Sequence, residues 1–209
     1  MGSFTKSNSL RKTLLFAKAC RYEKGHSQQV ARISVKIFDT LKPWHKLGNT
    51  ERSWLQAAAL LHDIGWSQGR QGHHKASMEM IIKTTQLSFE ENERILVGLI
   101  ARYHRKSLPK DSHKYYSDLN GATKRLVCIL SSFLRIADGL DRSHGCRVKN
   151  LRCEILSDEI ITHIKTRELS EEDCQAGEKK SDLLEKVLEK KVRLVWEVMN
   201  DRLEQRSLK

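Results

Sequence analysis

The apolar residues of the first 140 positions recur at helical spacing almost without interruption. After His26 they return every three or four positions, which predicts a helix whose buried stripe ends before Pro43. The segment from Trp54 to Leu61 becomes so apolar that we expect its helix to lie at the centre of the fold. Both prolines of the chain, Pro43 and Pro109, lie outside these repeats. The pattern therefore predicts an all-helical domain.

Three further helices follow in the same pattern. One begins at the turn of residues 72–74. The residues Ser-Phe-Glu-Glu at 88–91 match a capping box, which predicts the start of a fourth helix that reaches His104. Asn120 is a favourable N-cap for a fifth, long helix that reaches Asp138. Histidines and aspartates therefore stand at the ends of several predicted helices.

Beyond residue 145 the periodicity changes from helical to alternating. Residues 148–156 and 160–165 alternate between polar and apolar side chains, which predicts a β-hairpin. The following segments are expected to form a polar loop, a helix and a third strand, at residues 171–180, 182–188 and 191–198. We thus predict a mostly α protein with a helical bundle at residues 9–145, a small α/β appendage at 146–200, and tails at 1–8 and 201–209.

The net charge of the chain indicates which class of ligand it could bind. A formal net charge of +12 favours polyanions, such as nucleotides, polyphosphate or, as a less favoured choice, nucleic acid. A basic surface that is merely solvated explains the same excess equally well. The lysine-rich stretch at 179–193 is expected to be such a solvated helix face.

The cysteines and the hydropathy of the chain indicate in which cellular compartment we expect the protein. The five cysteines are widely spaced and contain no CxxC pair, so neither a disulfide framework nor a thiolate zinc site is predicted. Free thiols fit a reducing cytoplasm. No apolar stretch approaches the roughly 20 residues that span a bilayer, and the first residues lack the apolar core of a secretory signal. We therefore expect a cytoplasmic protein with no membrane partner.

The candidate metal ligands lie at the predicted helix ends. His62 and Asp63 follow the buried second helix, and a bundle of antiparallel helices can bring such ends to one layer. Buried carboxylates at Asp63 and Asp138 would be costly without a cation or a hydrogen-bond partner. Imidazole and carboxylate ligands without thiolate suit Mn, Fe, Zn or Mg. We predict one or two divalent ions, the first bound by His26, His62, Asp63 and Asp138, and the second by Asp63, His104 and either His73 or His74.

Cations and further acid–base groups surround these ligands. The predicted substrate contacts are Arg102, Arg105, Lys106, Arg142, His144 and Arg147. Arginine holds phosphate oxygens in bidentate fashion, although basic residues at helix ends also complement the helix dipole. Asp63 and Asp141 are the predicted catalytic residues, with Asp141 acting either as a general acid or as support for a ligand. A simple turn between the two parts of the chain is the alternative explanation for Asp141 and His144.

The order His26, His62-Asp63 and Asp138 resembles that of the HD-domain metal phosphohydrolase superfamily. More narrowly, the chain resembles the C-terminal HD-like domain of exopolyphosphatase and guanosine pentaphosphate phosphatase proteins, at residues 60–65, 72–75, 100–106, 134–145 and 182–188. The likeness implies an HD-domain helical bundle, a divalent metal site and a basic surface adapted to polyanions. The ligand choice between His73 and His74 stays open, and the family pattern favours His73.

The resemblance leaves the activity open. The enzymes of that family carry an N-terminal actin-like domain that binds and cleaves the substrate, and nothing in this sequence corresponds to it. We expect a metal-dependent phosphohydrolase acting on a phosphoester or phosphoanhydride of a nucleotide, another phosphorylated small molecule or polyphosphate. The alternative is a non-catalytic module that binds polyphosphate or an alarmone, or that regulates a separate actin-like phosphatase. Either hypothesis is compatible with a homodimer.

Overall fold

The computed structural model of the chain describes residues 2–69 and 71–199, with side chains from residue 8 onward. Met1, Arg70 and Asn200, together with the predicted tail at 201–209, lie outside the described residues. The helical part contains, in chain order, α1 Gly2–Ala19, α2 Lys24–Thr40, α3 Lys42–His45, α4 Asn49–Leu61, a 3-10 helix Ile64–Gln68, α5 His73–Lys83, α6 Glu91–Arg102 and α7 Gly121–Gly139.

The second part of the chain is a small sheet with two helices. It contains β1 Val148–Ile155, β2 Glu159–Thr166, α8 Glu171–Lys180, α9 Asp182–Leu188 and β3 Lys191–Val198. The hairpin is confirmed, since β1 and β2 pair antiparallel, and the predicted third strand pairs in parallel with the other side of β2. A parallel pair needs a crossover, which α8 and α9 provide. The prediction of a mostly α protein with a small α/β appendage is confirmed.

Polar side chains cap the helices on which the candidate site depends. The side chain of Asn120 accepts a hydrogen bond from the backbone N–H of Thr123, so this predicted cap is confirmed. The predicted capping box at Ser88 is wrong. The helix α6 begins after Glu90, because the capping box forms two residues later, where the side chain of Glu93 accepts from the backbone N–H of Glu90 at 2.9 Å.

The predicted loop at 171–180 is also wrong, because these residues form helix α8. The hydroxyl of Ser170 accepts from the backbone N–H of Asp173, three acidic residues occupy the first turn, and Lys179 and Lys180 occupy the last turn. This order of charge complements the helix dipole. The helix lacks an apolar stripe because it buries only Asp173 and Gly177, so periodicity did not reveal it.

The core lies between α4 and α7. Every residue of α7 from Ile129 to Gly139 is buried, as are six of the last seven residues of α4. The same cluster of buried side chains continues into the sheet through Val148, Ile160 and Ile164. Among the described residues, no helix combines the length and the hydropathy that a membrane crossing needs.

Gly65 permits a close approach of two backbones beside the candidate site. A Cβ on this residue would lie 2.3 Å from the carbonyl oxygen of His73 and 2.6 Å from the backbone nitrogen of Ser77. The backbone N–H of Gly65 also donates to Oγ of Ser77 at 2.9 Å. The absence of a side chain therefore lets α5 begin directly against the 3-10 helix, which brings His73 towards Asp63.

We expect Gly65→Ala to destabilise the protein by about 1–3 kcal/mol, because the new methyl group meets backbone atoms that cannot rotate away. Gly121→Ala is the control, since a Cβ there meets no atom within 4 Å, and its expected effect is neutral or slightly stabilising. Chemical denaturation with both variants measures the difference. Equal stabilities of the two variants would contradict the close approach.

Candidate metal centre

Six candidate ligands converge where the ends of five helices meet. His26 lies in the first turn of α2, and His62 and Asp63 follow directly on α4. The other three ligands are His73, the first residue of α5, His104, two residues after α6, and Asp138, in the last turn of α7. The side chains of all four histidines are at most 2% exposed. The structure thus brings these predicted ligands together at helix ends, and their binding of a metal stays a prediction.

One group of ligand atoms gathers around Asp138. Its Oδ1 lies 3.2 Å from Nε2 of His26 and 3.8 Å from Nε2 of His62. One ligand atom from each of these three residues lies within 4.8 Å of the others, which is close enough for a shared cation. This group contains three of the four residues predicted for the first ion.

A second group gathers around Asp63. Its Oδ2 lies 3.4 Å from Nε2 of His62, and its Oδ1 lies 3.2 Å from Nε2 of His73 and 3.4 Å from Nε2 of His104. Ligand atoms of His62, Asp63 and His104 also lie within 4.8 Å of one another. His62 is thus common to both groups, whereas Asp63 belongs to the second group alone.

The structure brings His73, and not His74, to this centre. His74 instead lines a separate cavity of about 120 Å³ with Arg102 and Tyr103. The side chains of consecutive residues at a helix start point in different directions, so only one of the pair reaches Asp63. This placement favours His73 as the ligand, which is also the choice that the family pattern favours.

Hydrogen bonds fix the rings so that each presents its Nε2 atom. Nδ1 of His62 donates to the carbonyl oxygen of Ala59 at 2.7 Å, and Nδ1 of His104 donates to that of Ala101 at 2.7 Å. Each acceptor lies three residues earlier in the preceding helix. A proton on Nδ1 leaves the lone pair of a neutral ring on Nε2, as metal-ligating histidines require. We therefore place a proton on Nδ1 of both rings.

The carboxylate of Asp141 fixes the ring of His26 in the same way, through its Nδ1 atom. Its Oδ2 lies 2.9 Å from Nδ1 of His26, and its Oδ1 accepts from the backbone N–H of Cys146 at 2.7 Å. Asp141 is fully buried. His144 stacks on the other face of the His26 ring at 3.9 Å between centroids. Because both oxygens of Asp141 face protein atoms, its position fits support of His26 and does not fit a general acid in contact with substrate.

The buried atoms of the centre fit a divalent cation. Nε2 of His26, Nε2 of His62 and Oδ1 of Asp63 are buried, and their close neighbours are imidazoles and carboxylates of the same centre, at 3.2–3.4 Å. Such contacts are at or beyond the usual length of an N–H···O hydrogen bond, so they satisfy these buried atoms poorly. Imidazole nitrogens and carboxylate oxygens at one point are the donors that Mn, Fe or Zn prefers. A cation there would complete the coordination of all three atoms.

The surroundings keep the two carboxylates ionised. Burial raises the pKa of Asp138, but the charge of Lys180 and the hydrogen bond from His26 outweigh burial and hold this pKa well below its usual range. Burial acts in the same direction on Asp63, and the neighbouring His62 lowers the pKa of that carboxyl well below its usual range. Both side chains are therefore available as anionic ligands at neutral pH.

The histidines of the centre differ in protonation. Burial lowers the pKa of His26, but hydrogen bonds to Asp138 and Asp141 outweigh it and raise the pKa to about 10. At His104, burial and the charge of His62 lower the pKa to about 3. In the metal-free protein His104 is thus neutral, whereas His26 carries a proton that a metal would replace.

Lys180 is a residue of the centre that the sequence did not reveal. Its ammonium contacts Oδ2 of Asp138, the oxygen that faces away from His26 and His62. We expected this lysine on a solvated helix face, and that expectation is wrong because α8 packs across α7 and directs its last side chain inward. Lys180 thus supplies a protein cation to one of the two buried carboxylates.

A cavity of about 550 Å³ opens over the centre. Asp63, His104 and Asp138 lie in its wall, and the exposed ring of Trp66, which stacks on His73 at 4.6 Å, also lines it. Four predicted substrate contacts line the same cavity, namely Arg105, Lys106, Arg142 and His144. Nη1 of Arg105 donates to Nε2 of His73 at 3.0 Å. The cavity therefore joins the ligand groups to cations that suit an anionic ligand.

Two predicted substrate contacts lie elsewhere. Arg102 packs over the ring of Tyr103 and against the sulfur of Met78, in the smaller cavity with His74. Arg147 pairs with Glu168 and donates to Oγ of Ser143. Both arginines are thus directed away from the cavity over the ligands. Neither arginine lines the cavity as the sequence predicted, because spacing along the sequence does not give the direction of a side chain.

A comparison with protein families gives a match that covers most of the chain. The sequence model of the family described as Ppx/GppA phosphatase, domain III, matches residues 12–191. The match begins within α1 and ends at the first residue of β3. It therefore includes both ligand groups and every residue that lines the cavity.

We expect Asp141→Asn to weaken divalent-metal binding by about 10- to 100-fold. The asparagine amide would donate to Nδ1 of His26, which moves the ring proton to Nε2 and blocks the ligand lone pair. The new side chain can still accept from Cys146, so the fold should persist. Calorimetric titration with Mn²⁺ measures the change, and exposed Asp111→Asn is the control. An unchanged affinity would remove Asp141 from its role as the support of His26.

Proposed function

The chain belongs to the family of Ppx/GppA phosphatase domain III, and on this premise we propose that it is a divalent-metal-dependent phosphohydrolase of the HD type. The proposed substrate is a phosphoester or phosphoanhydride of a nucleotide or a related polyanion, including polyphosphate. The proposed metal ligands are His26, His62, Asp63, His73, His104 and Asp138.

One observation carries the proposal. The nitrogen and oxygen atoms of the two ligand groups lie in and behind the wall of a cationic cavity that is open to small molecules. A structural metal would need the ligands but not the cavity, and a polyanion-binding surface would need the cations but not the ligands. Hydrolysis of a phosphorylated compound uses both, because the ligands hold the ion and the cations hold the phosphate groups.

The residues divide this work between them. A bound divalent ion supplies an activated water and polarises a phosphoryl oxygen. Asp63 contacts three imidazoles, and its carboxylate would hold a divalent ion together with them and orient the attacking water. Arg105 and Arg142 in the cavity wall neutralise charge that develops on the transferred phosphoryl group. Lys106 and His144, at the same cavity, bind the remaining phosphate oxygens.

A second candidate function is a non-catalytic module that binds polyphosphate or an alarmone, alone or as the regulator of a separate actin-like phosphatase. The observation in its favour is that protein cations already neutralise part of the centre. Lys180 contacts Asp138, and Arg105 donates to His73. With those pairs kept, the cavity would be a cationic binding pocket in which the histidines have a structural role.

We expect the purified protein to hydrolyse at least one member of a panel of nucleotides, alarmones and polyphosphates when Mn²⁺ is supplied. Turnover should stop on chelation, and Asp63→Asn should reduce it by about 10²–10⁴-fold, the usual contribution of a group that orients or deprotonates the nucleophile. The matched control is Asp111→Asn, whose carboxylate is largely exposed and pairs only with Lys124 among the described residues.

The same panel separates the two functions. Salt-sensitive binding of a polyanion without turnover, at any of Mn²⁺, Mg²⁺, Zn²⁺ or Fe²⁺, would favour the binding module. Turnover that survives Asp63→Asn would show that another centre acts. Neither binding nor turnover with any compound would contradict both functions.

A further inference from the structure

The two oxygens of the Asp138 carboxylate contact different partners, histidines on one side and Lys180 on the other. Oδ1 of Asp138 faces Nε2 of His26 at 3.2 Å and Nε2 of His62 at 3.8 Å, whereas Oδ2 contacts the Lys180 ammonium. The side chains of Lys180 and Asp138 are only 16% and 9% exposed. This is therefore an interior ion pair within one of the candidate ligand groups.

The helix that carries Lys180 is fixed at its start. Asp173 in its first turn is buried, and its carboxylate accepts from the backbone N–H of Ser143 at 2.7 Å and from the Ser143 hydroxyl at 2.9 Å. Further along the helix, a Cβ on Gly139 would lie 2.8 Å from the carbonyl oxygen of Ala176. The two backbones are thus in direct contact, which sets the distance from α8 to the end of α7.

The chain is also fixed just after Lys180. The buried guanidinium of Arg135 binds Asp182 in bidentate fashion, with Nη2 at 2.8 Å from Oδ2 and Nε at 3.0 Å from Oδ1. Lys180 is therefore attached to a part of the backbone that cannot move far. Its ammonium can leave Asp138 only by rotation of its own side chain, for which four methylene groups give the freedom.

We propose that Lys180 is an internal counter-cation that neutralises Asp138 in the metal-free protein and competes with a divalent ion for this carboxylate. The inference rests on the metal centre proposed above. A buried carboxylate without a cation is costly, so the lysine stabilises the empty centre. The same positive charge opposes a second cation at the same carboxylate. Binding of a metal is then an exchange of cations, in which the ammonium turns into the cavity that Lys180 already lines.

The test compares Mn²⁺ affinity of the full chain and its Lys180→Gln variant by calorimetric titration. We expect the variant to bind Mn²⁺ at least about tenfold more tightly, because removal of a charge within a few ångströms of the ion removes a repulsion of that size. Lys180→Arg keeps the charge and should show no gain. The matched control is Lys179→Gln, since Lys179 is exposed on the same turn and carries the same charge.

Thermal unfolding supplies a second reading that does not depend on activity. Without metal, Lys180→Gln should melt below Lys179→Gln, because the buried carboxylate of Asp138 then loses the cation at its Oδ2 and keeps only the contact with His26. On addition of Mn²⁺ its melting temperature should rise more than that of the unmodified protein, as tighter binding requires. A variant that is folded in the presence of Mn²⁺ therefore gives an answer even when its metal-free form is weak.

The outcomes separate this inference from the function on which it rests. Mn²⁺ binding by the unmodified protein with equal or weaker binding by Lys180→Gln would overturn the role of Lys180 and leave the metal centre standing. Binding by the variant alone would be the extreme case of the proposed competition. If neither protein binds Mn²⁺, the metal centre fails and the inference fails with it.

Discussion

Three carboxylates in the interior of a helical protein need positive partners, and this requirement shapes the centre of the molecule. Asp138 and Asp141 are buried and Asp63 is nearly so. Their partners come from α2, from the start of α5, from the ends of α4 and α6, and from α8. Because each partner lies at a helix end, the packing of the helices and the electrostatics of the centre depend on each other.

The same arrangement gives each ligand a fixed orientation. The carbonyl groups of the last turns of α4 and α6 hold His62 and His104 through Nδ1, while Asp141 holds His26. Rings that are held in this way present Nε2 without a further loss of side-chain entropy. The cationic cavity and the match to a phosphatase domain support the proposed chemistry on phosphate groups. The contact of Lys180 with Asp138 supports the proposed exchange of cations at this carboxylate.

Much of this arrangement could be predicted from helical periodicity and from residue type. The spacing of apolar residues predicted most of the helices. The positions of His26, His62 and Asp138 at helix ends predicted that these side chains lie together. What periodicity could not give was α8, because a helix that packs through glycine and charged residues has no apolar stripe, so Lys180 was overlooked. The direction of Arg102 was also beyond the sequence, because it depends on how α6 packs and ends.

The position of bound metal tests this account most directly. In crystals grown with Mn²⁺, anomalous scattering at the manganese edge should give a peak within bonding distance of His62 and of Asp138 or Asp63. The account further predicts that the Lys180 ammonium no longer contacts Asp138 when the peak lies at that carboxylate. A clear map with no anomalous peak at these residues, and with Lys180 still on Asp138, would contradict it.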